Sequence, residues 1–273
     1  MMPGVLARAR RTHGTVPVGL GGSKILREGL MMSGKGYFVS DLHLLAQRSI
    51  AGRHMDAIRA AARRAEVFVF GGDVFDFRWA VGMPIDEAID WAGRWLRDLA
   101  GSAPECRFHY LLGNHDCHEE FVEHLVAVDR DVPNLAWDHD FYRYGSKVFL
   151  HGDVVGKGIR TVEELVHHRN HPARHQPMSL WRSRLYDATI ATGLPRAMPY
   201  FVHPTRVVAA KIHRYLERIG HGPQVGVTDV YFGHLHRVLS DYRYRGLRFH
   251  SGGATVRGQR FRIVEFNATA TRG

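Results

Sequence analysis

Two histidines one residue apart close the stretch Tyr231-Phe232-Gly233-His234-Leu235-His236, directly after the apolar run Val225 to Phe232. On an extended segment, side chains at i and i+2 point to the same side, so both imidazoles are predicted to face one site. A pair of neutral histidines is an incomplete metal site and needs oxygen donors nearby. Four earlier stretches offer them: Asp41-Leu42-His43, Gly72-Asp73-Val74-Phe75-Asp76, Gly113-Asn114-His115-Asp116 and His151-Gly152-Asp153. Carboxylate, imidazole and amide oxygen together make a mixed N/O donor set, which suits manganese, iron or zinc.

The elements around these stretches must bring them together. Gly36 to Ser40 reads as a short strand running into Asp41. Ile50 to Ala65 alternates aliphatic and basic residues as an amphipathic helix does. Val67 to Phe70 is a second buried strand, and Gly71 and Gly72 allow a tight exit into Asp73. A helix over Asp86 to Ala100 with Pro84 just before it, a strand over Phe108 to Leu112 and a helix around Glu119 to Val128 follow. Strands alternating with helices, each dropping polar residues at its C-terminal end, describe an open α/β sheet whose ligands bind outside those ends. The pattern then changes to β. Phe141 to Tyr144 and Lys147 to Leu150 flank the turn signal Gly145-Ser146. Asp229 to Phe232, a hairpin around Arg245-Gly246 and a strand near Phe261 to Phe266 complete the chain. The expectation is two sheets within and helices outside.

Composition sets the bounds. A chain of 273 residues, 45% hydrophobic and 11% aromatic, can bury one large core with an inserted subdomain. Cys106 and Cys117 are too few for a disulfide scaffold and suggest a reducing, cytoplasmic compartment. No apolar run approaches the roughly 20 residues that span a bilayer. The net charge of +10 is uneven: residues 1–36 carry six Lys/Arg against Glu28 alone, and residues 155–222 carry eleven against four acidic residues. The rest of the chain is mildly acidic, as metal carboxylates would make it. Basic patches of this kind attract phosphate-bearing partners or an anionic membrane surface. Residues 1–35 have no periodicity and are expected to be a disordered extension, with Met31 or Met32 as a candidate start.

Asp41-x-His43, Gly72-Asp73-x-x-Asp76, Gly113-Asn114-His115-Asp116, His151 and Gly233-His234-x-His236, in this order and each ending a predicted strand, resemble the calcineurin-like metallophosphoesterases over residues 36 to 273. The resemblance implies a four-layer α-β-β-α sandwich and a pair of divalent cations that hydrolyse a phosphate ester or anhydride. It implies Asp41, His43, Asp73 and His236 around the first ion, and Asp73, Asn114, His151 and His234 around the second, with Asp73 bridging. Manganese is the favoured ion, with iron or zinc as alternatives. His115 matches the family position that protonates the leaving oxygen or contacts the phosphoryl group, and Asp116 is expected to orient it. Asp76 and Asp153 are each open between anchoring a donor loop and plain turn stabilisation.

Substrate choice falls to the helical insert, residues 155–222. Thr205 could cap a helix with Val208, Ile212, Tyr215, Leu216 and Ile219 on one face, ended by Gly220. A lid with arginines for phosphate and an apolar chamber is one reading, and a packing cap is the other. Arg78, Arg182 and Arg184 are candidate substrate-binding residues. Within the family the chain is most similar to UDP-2,3-diacylglucosamine pyrophosphatases, through Asp41-Leu42-His43-Leu44, the Gly72 to Asp76 loop and the placement of the basic helical insert. That resemblance implies a lipid-linked nucleotide substrate and peripheral association with the inner face of the membrane. Two departures are His115, where those enzymes typically carry arginine, and Val154-Val155-Gly156-Lys157-Gly158 after the His-Gly-Asp stretch. A generic phosphodiesterase or phosphatase, a DNA-repair-type nuclease and a non-catalytic metal-binding scaffold are the alternatives. The intact set of seven ligand positions weighs against the last.

Overall fold

The computed structural model of the chain describes residues 34–156, 158–171, 181 and 204–268. Residues 1–33 of the basic extension, and Arg182 and Arg184 of the insert, lie outside them. Among the described residues, ten strands form two five-stranded sheets. The first has the order β10-β1-β2-β3-β4: β1 (Lys35–Val39), β2 (Val67–Gly71), β3 (Arg107–Leu111) and β4 (Leu135–Asp138) run parallel, and β10 (Val264–Asn267) pairs antiparallel with β1. The second has the order β5-β6-β7-β9-β8, made from β5 (Phe141–Tyr144), β6 (Lys147–Leu150), β7 (Asp229–Phe232), β8 (Val238–Tyr244) and β9 (Leu247–Gly252).

Alternation along the strands decides the layering. In β2, Phe68 and Phe70 join the cluster with α1 (Met55–Ala62), α2 (Ile85–Gly101) and α3 (Glu119–Asp131), while Val67 and Val69 turn to the opposite face. In β6 and β7, Val148, Leu150, Val230 and Phe232 pack under the insert's helices, and Phe149 and Tyr231 turn the other way. The inward-facing residues meet as one aromatic layer: Phe149 stacks on Tyr231 at 4.8 Å between ring centroids and touches Phe38 at 5.9 Å and Phe266 at 5.0 Å. Helices outside and two sheets within is therefore the arrangement found. Because β1, β2, β3, β6 and β7 all lead into motif loops, the polar residues collect at one end of the sheet pair.

Several boundaries differ from the sequence reading. The helix expected over Ile50 to Ala65 opens as a 3-10 turn, Ala51–His54, before α1. Strand β4 is too short to show a period, and it is held by parallel pairing of Leu135 to Asp138 with Phe108 to Leu111. The last strand begins at Val264 rather than near Phe261. In the insert, α4 (Val162–Arg169) starts on a capping box in which Thr161 Oγ1 accepts from Glu164 N and Glu164 Oε2 accepts from Thr161 N. The later helix, α5 (Thr205–Arg218), buries Val208, Ile212, Tyr215 and Leu216 as its stripe predicts, but Pro204 occupies the cap position assigned to Thr205.

Candidate metal centre

The paired donors reach the site by a different backbone route from the pleat. Asp41 (φ 52°), His43 (φ 46°), Asp73 (φ 53°), His234 (φ 69°) and His236 (φ 53°) are all left-handed. Each such non-glycine residue costs on the order of 1–3 kcal/mol and persists only where its surroundings over-determine it. Here hydrogen bonds between loops do so: Asp41 N donates to Gly72 O at 3.0 Å, His43 N to Asp73 O at 3.0 Å and Gly233 N to His151 O at 2.7 Å. Glycine is required at two contacts. A Cβ on Gly113 would strike Asp73 Oδ1 and the Asp73 backbone nitrogen, and one on Gly233 would strike Asp41 Oδ2.

All seven expected ligands are described, and they fall into two groups. In the first, His236 Nε2 lies 3.4 Å from Asp41 Oδ1 and 3.0 Å from His43 Nε2. In the second, His151 Nε2 lies 3.2 Å from both Asp73 Oδ2 and Asn114 Oδ1, and His234 completes the set. Asp73 groups with the second set; its other oxygen, Oδ1, accepts from His115 N at 2.8 Å.

Proton accounting tests whether these atoms fit a cation. His151 Nδ1 faces the Gly71 carbonyl at 2.9 Å, which can only accept, so the ring proton belongs on Nδ1. Its Nε2 lone pair then points at a carboxylate oxygen and an amide oxygen. His43 repeats the pattern: Nδ1 donates to Asp76 Oδ2 at 3.1 Å, leaving Nε2 to face His236 Nε2 and Asp41. Lone pairs converging on one another repel unless a positive charge sits between them. The pocket's demand for charge shows in its titration. Burial pushes His151 down, yet the Asp73 carboxylate outweighs it and raises the imidazole to about 10. Burial pushes Asp73 up, but His151 and His115 hold it well below the ordinary carboxylate range. Burial and the neighbouring His151 push His234 down to about 4, keeping it a neutral donor. The donor set fits a divalent ion in each group.

His43, Asp76 and His115 also converge, but there protons already satisfy the carboxylate. Asp76 Oδ2 accepts from His43 Nδ1, and Oδ1 accepts from His115 Nδ1 at 2.9 Å. Arg48 Nη2 adds a third donor at 3.0 Å, with its guanidinium stacked 4.0 Å from the Trp79 ring centroid. Asp76 also caps the 3-10 turn Phe77–Trp79 through Trp79 N, so both roles left open in the sequence are filled. Burial pushes His115 down, but Asp76 and Asp73 outweigh it and raise it to about 9.

The partner expected for His115 is corrected. Asp116 is fully buried and accepts from Val74 N at 2.8 Å, Gly113 N at 2.6 Å and the Tyr110 hydroxyl at 2.6 Å. These bonds tie the Asp73 loop to the Asn114 loop, whereas Asp76 holds the His115 ring. Arg78 lies in the turn just past Asp76 with its Nε buried and without a hydrogen-bond partner; the guanidinium that reaches the Asp76 carboxylate is that of Arg48. Arg48 was missed because a lone arginine in the loop Ala46 to Ser49 carries no sequence signal. Asp153 anchors a loop through Arg169, which in the sequence counts only among the basic residues of the insert.

Two groups of nitrogen and oxygen donors thus lie beyond the C-terminal ends of strands from both sheets. The model of the calcineurin-like phosphoesterases matches residues 36–238, and the chain belongs to that family. Among solved structures, the chain is similar to a dimetal phosphatase from Danio rerio, at 12% identity with a TM-score of 0.43, covering 81% of this chain and 88% of that chain. No curated protein matches the chain.

Proposed function

We propose that the chain hydrolyses a phosphodiester or pyrophosphate bond with two divalent cations, manganese in the first instance. Asp41, His43, Asp73 and His236 would hold one, and Asp73, Asn114, His151 and His234 would hold the other. The observation that carries this reading is the convergence of carboxylate, amide and imidazole donor atoms in two adjacent groups, with the Nδ1 atoms of His43 and His151 each engaged by an acceptor so that Nε2 faces the site. Bound ions of this kind neutralise phosphoryl charge and lower the pKa of a water toward neutrality. The chain's own contribution is position and proton supply. Asp76 keeps the His115 ring protonated and oriented, so that its remaining N–H is available to the departing oxygen. Asp116 keeps the Asp73 and Asn114 loops in register.

The substrate is a nucleotide-linked lipid of the UDP-2,3-diacylglucosamine type. The basic charge of residues 155–222 and the motifs shared with that subfamily support this reading. Residues 36–273 form the catalytic domain, residues 155–222 act as a lid, and residues 1–35 are a basic extension. The enzyme works in the cytoplasm, at the inner face of the membrane. Arg78, Arg182 and Arg184 contribute to phosphate binding. The test is a panel of UDP-diacylglucosamine in detergent micelles, UDP-sugars, bis-p-nitrophenyl phosphate and single-stranded DNA, assayed after manganese loading. Release of UMP from the lipid substrate, at a kcat/KM well above that for the generic diester, is the expected result. Turnover of the generic diester alone rejects the lipid, and cleavage of DNA replaces it with a nuclease.

A further inference from the structure

The helices that bound the insert are tied to the loops that carry the donors. Arg169 ends α4 and is only 2% exposed. Its Nε and Nη2 donate to the two Asp153 oxygens at 2.8 and 2.7 Å, and its Nη1 donates to His139 O. Its carbonyl oxygen accepts from Cys117 Sγ at 3.6 Å. From the other end of the insert, Lys211 Nζ of α5 donates to Val155 O at 2.6 Å, and Arg237 Nη1 donates to Thr205 Oγ1 at 3.1 Å. Asp153 and Val155 form the 3-10 turn that follows His151, Cys117 belongs to the Asn114 loop, and Arg237 is next to His236.

A buried ion pair is a poor choice if its only task is to dock a helix, because apolar residues of similar volume hold as well or better. What a bidentate pair adds is direction and charge. Asp153 is buried two residues from His151, so without a partner it would leave a buried negative charge in that loop. The forked guanidinium fixes both its oxygens and, with them, the turn that leaves His151.

We infer that Arg169 and Asp153 are a positioning pair: they hold the His151 loop for the cation bound by Asp73, Asn114, His151 and His234, and so couple the insert to that half of the centre. This rests on the two-cation reading above. Neither residue touches substrate or a cation in this scheme.

The experiment is calorimetric titration of the full metal-free chain with manganese, with metal content checked by elemental analysis and folding by thermal melt. Wild-type protein is expected to take up two ions. Arg169→Gln is expected to bind one of them about 10–100-fold more weakly and the other unchanged, giving an isotherm like that of His234→Ala and unlike that of His43→Ala. A folded Arg169→Gln protein with both ions bound as in wild type overturns the inference, as does equal weakening of both. If that variant is unfolded at 25 °C, Asp153→Asn/Arg169→Gln, which leaves no bare charge, is read by the same criteria. Wild-type protein that binds no manganese rejects the two-cation reading itself, and needs no variant to show it.

Discussion

Asp76 Oδ1 lies 2.9 Å from His115 Nδ1, and the second oxygen of the same carboxylate lies 3.1 Å from His43 Nδ1. One buried carboxylate thus fixes the tautomer of a proposed cation ligand and the ring of the proposed proton donor. Replacing it by asparagine leaves one oxygen acceptor and puts an NH₂ group against the other imidazole, where two donors would meet. Asp76→Asn is therefore expected to keep the fold and lower kcat by about 10–100-fold, read from initial rates at saturating manganese. Unchanged kcat would remove Asp76 from the proposed mechanism.

Removal of the cations should do more than stop turnover. Without them, the lone pairs around His151 and His43 face one another or recruit protons. Dialysis against a chelator is expected to abolish hydrolysis and lower the melting temperature, and manganese should restore both. At a free ion concentration 100 times the dissociation constant, linkage adds about 2.7 kcal/mol per site. A melt insensitive to manganese would count against the site.

Gly113 marks where the second donor loop and Asp73 come closest. The methyl group of Gly113→Ala would press on Asp73 Oδ1 and on the Asp73 backbone nitrogen, neither of which can swing away without displacing a proposed ligand. A loss of about 1–3 kcal/mol of stability is expected, with activity falling further than stability alone accounts for. Denaturant melts and specific activity, measured on the same preparation, separate the two.

The site was legible in the sequence as a set of residue types in order; the backbone that presents it was not. Asp41, His43, His234 and His236 read as pleated pairs because spacing by two has that meaning in a strand, yet all four are left-handed. Nothing in the side chains announces this, since the hydrogen bonds that enforce it come from other loops. The sheets were legible where apolar runs were long enough to show a period. Strand β4 was not, since its pairing with β3 supplies what its four residues lack. The capping box at Thr161 and Glu164 carried a local signal that was overlooked. Arg48 and Arg169 had none, because each acquires meaning only through a carboxylate far away in sequence: Asp76 for one and Asp153 for the other.

The aromatic layer between the sheets makes a prediction independent of the chemistry. Phe149 is fully buried and packs on Phe38, Tyr231 and Phe266. Phe149→Ala is expected to cost about 3–5 kcal/mol, enough to threaten a domain of ordinary stability. Phe149→Leu, which leaves a smaller void, should recover part of it. Equal stability of the alanine and leucine variants in urea would mean that this layer collapses around the gap.

A last expectation concerns acid, at a cluster around Asp229, the first residue of β7. Asp229 accepts from the Thr228 hydroxyl and Arg248 Nη2 at 2.7 Å each, and from His250 Nε2 at 3.0 Å. Burial pushes its carboxyl up, but the His250, Thr228 and Arg248 bonds outweigh it and bring it down to about 2. A carboxylate whose pKa falls on folding favours the folded state when ionised. Its contribution is therefore complete above the unfolded value near 3.9 and disappears as pH falls toward about 2. Because the Arg248 side chain is 48% exposed, the effect is discounted to about 1–2 kcal/mol. Urea melts of wild type and Asp229→Asn should differ by that amount at pH 7 and converge between pH 4 and pH 2 as the wild-type carboxylate takes up its proton. A difference that persists undiminished at pH 2 would mean that the asparagine variant loses packing rather than charge.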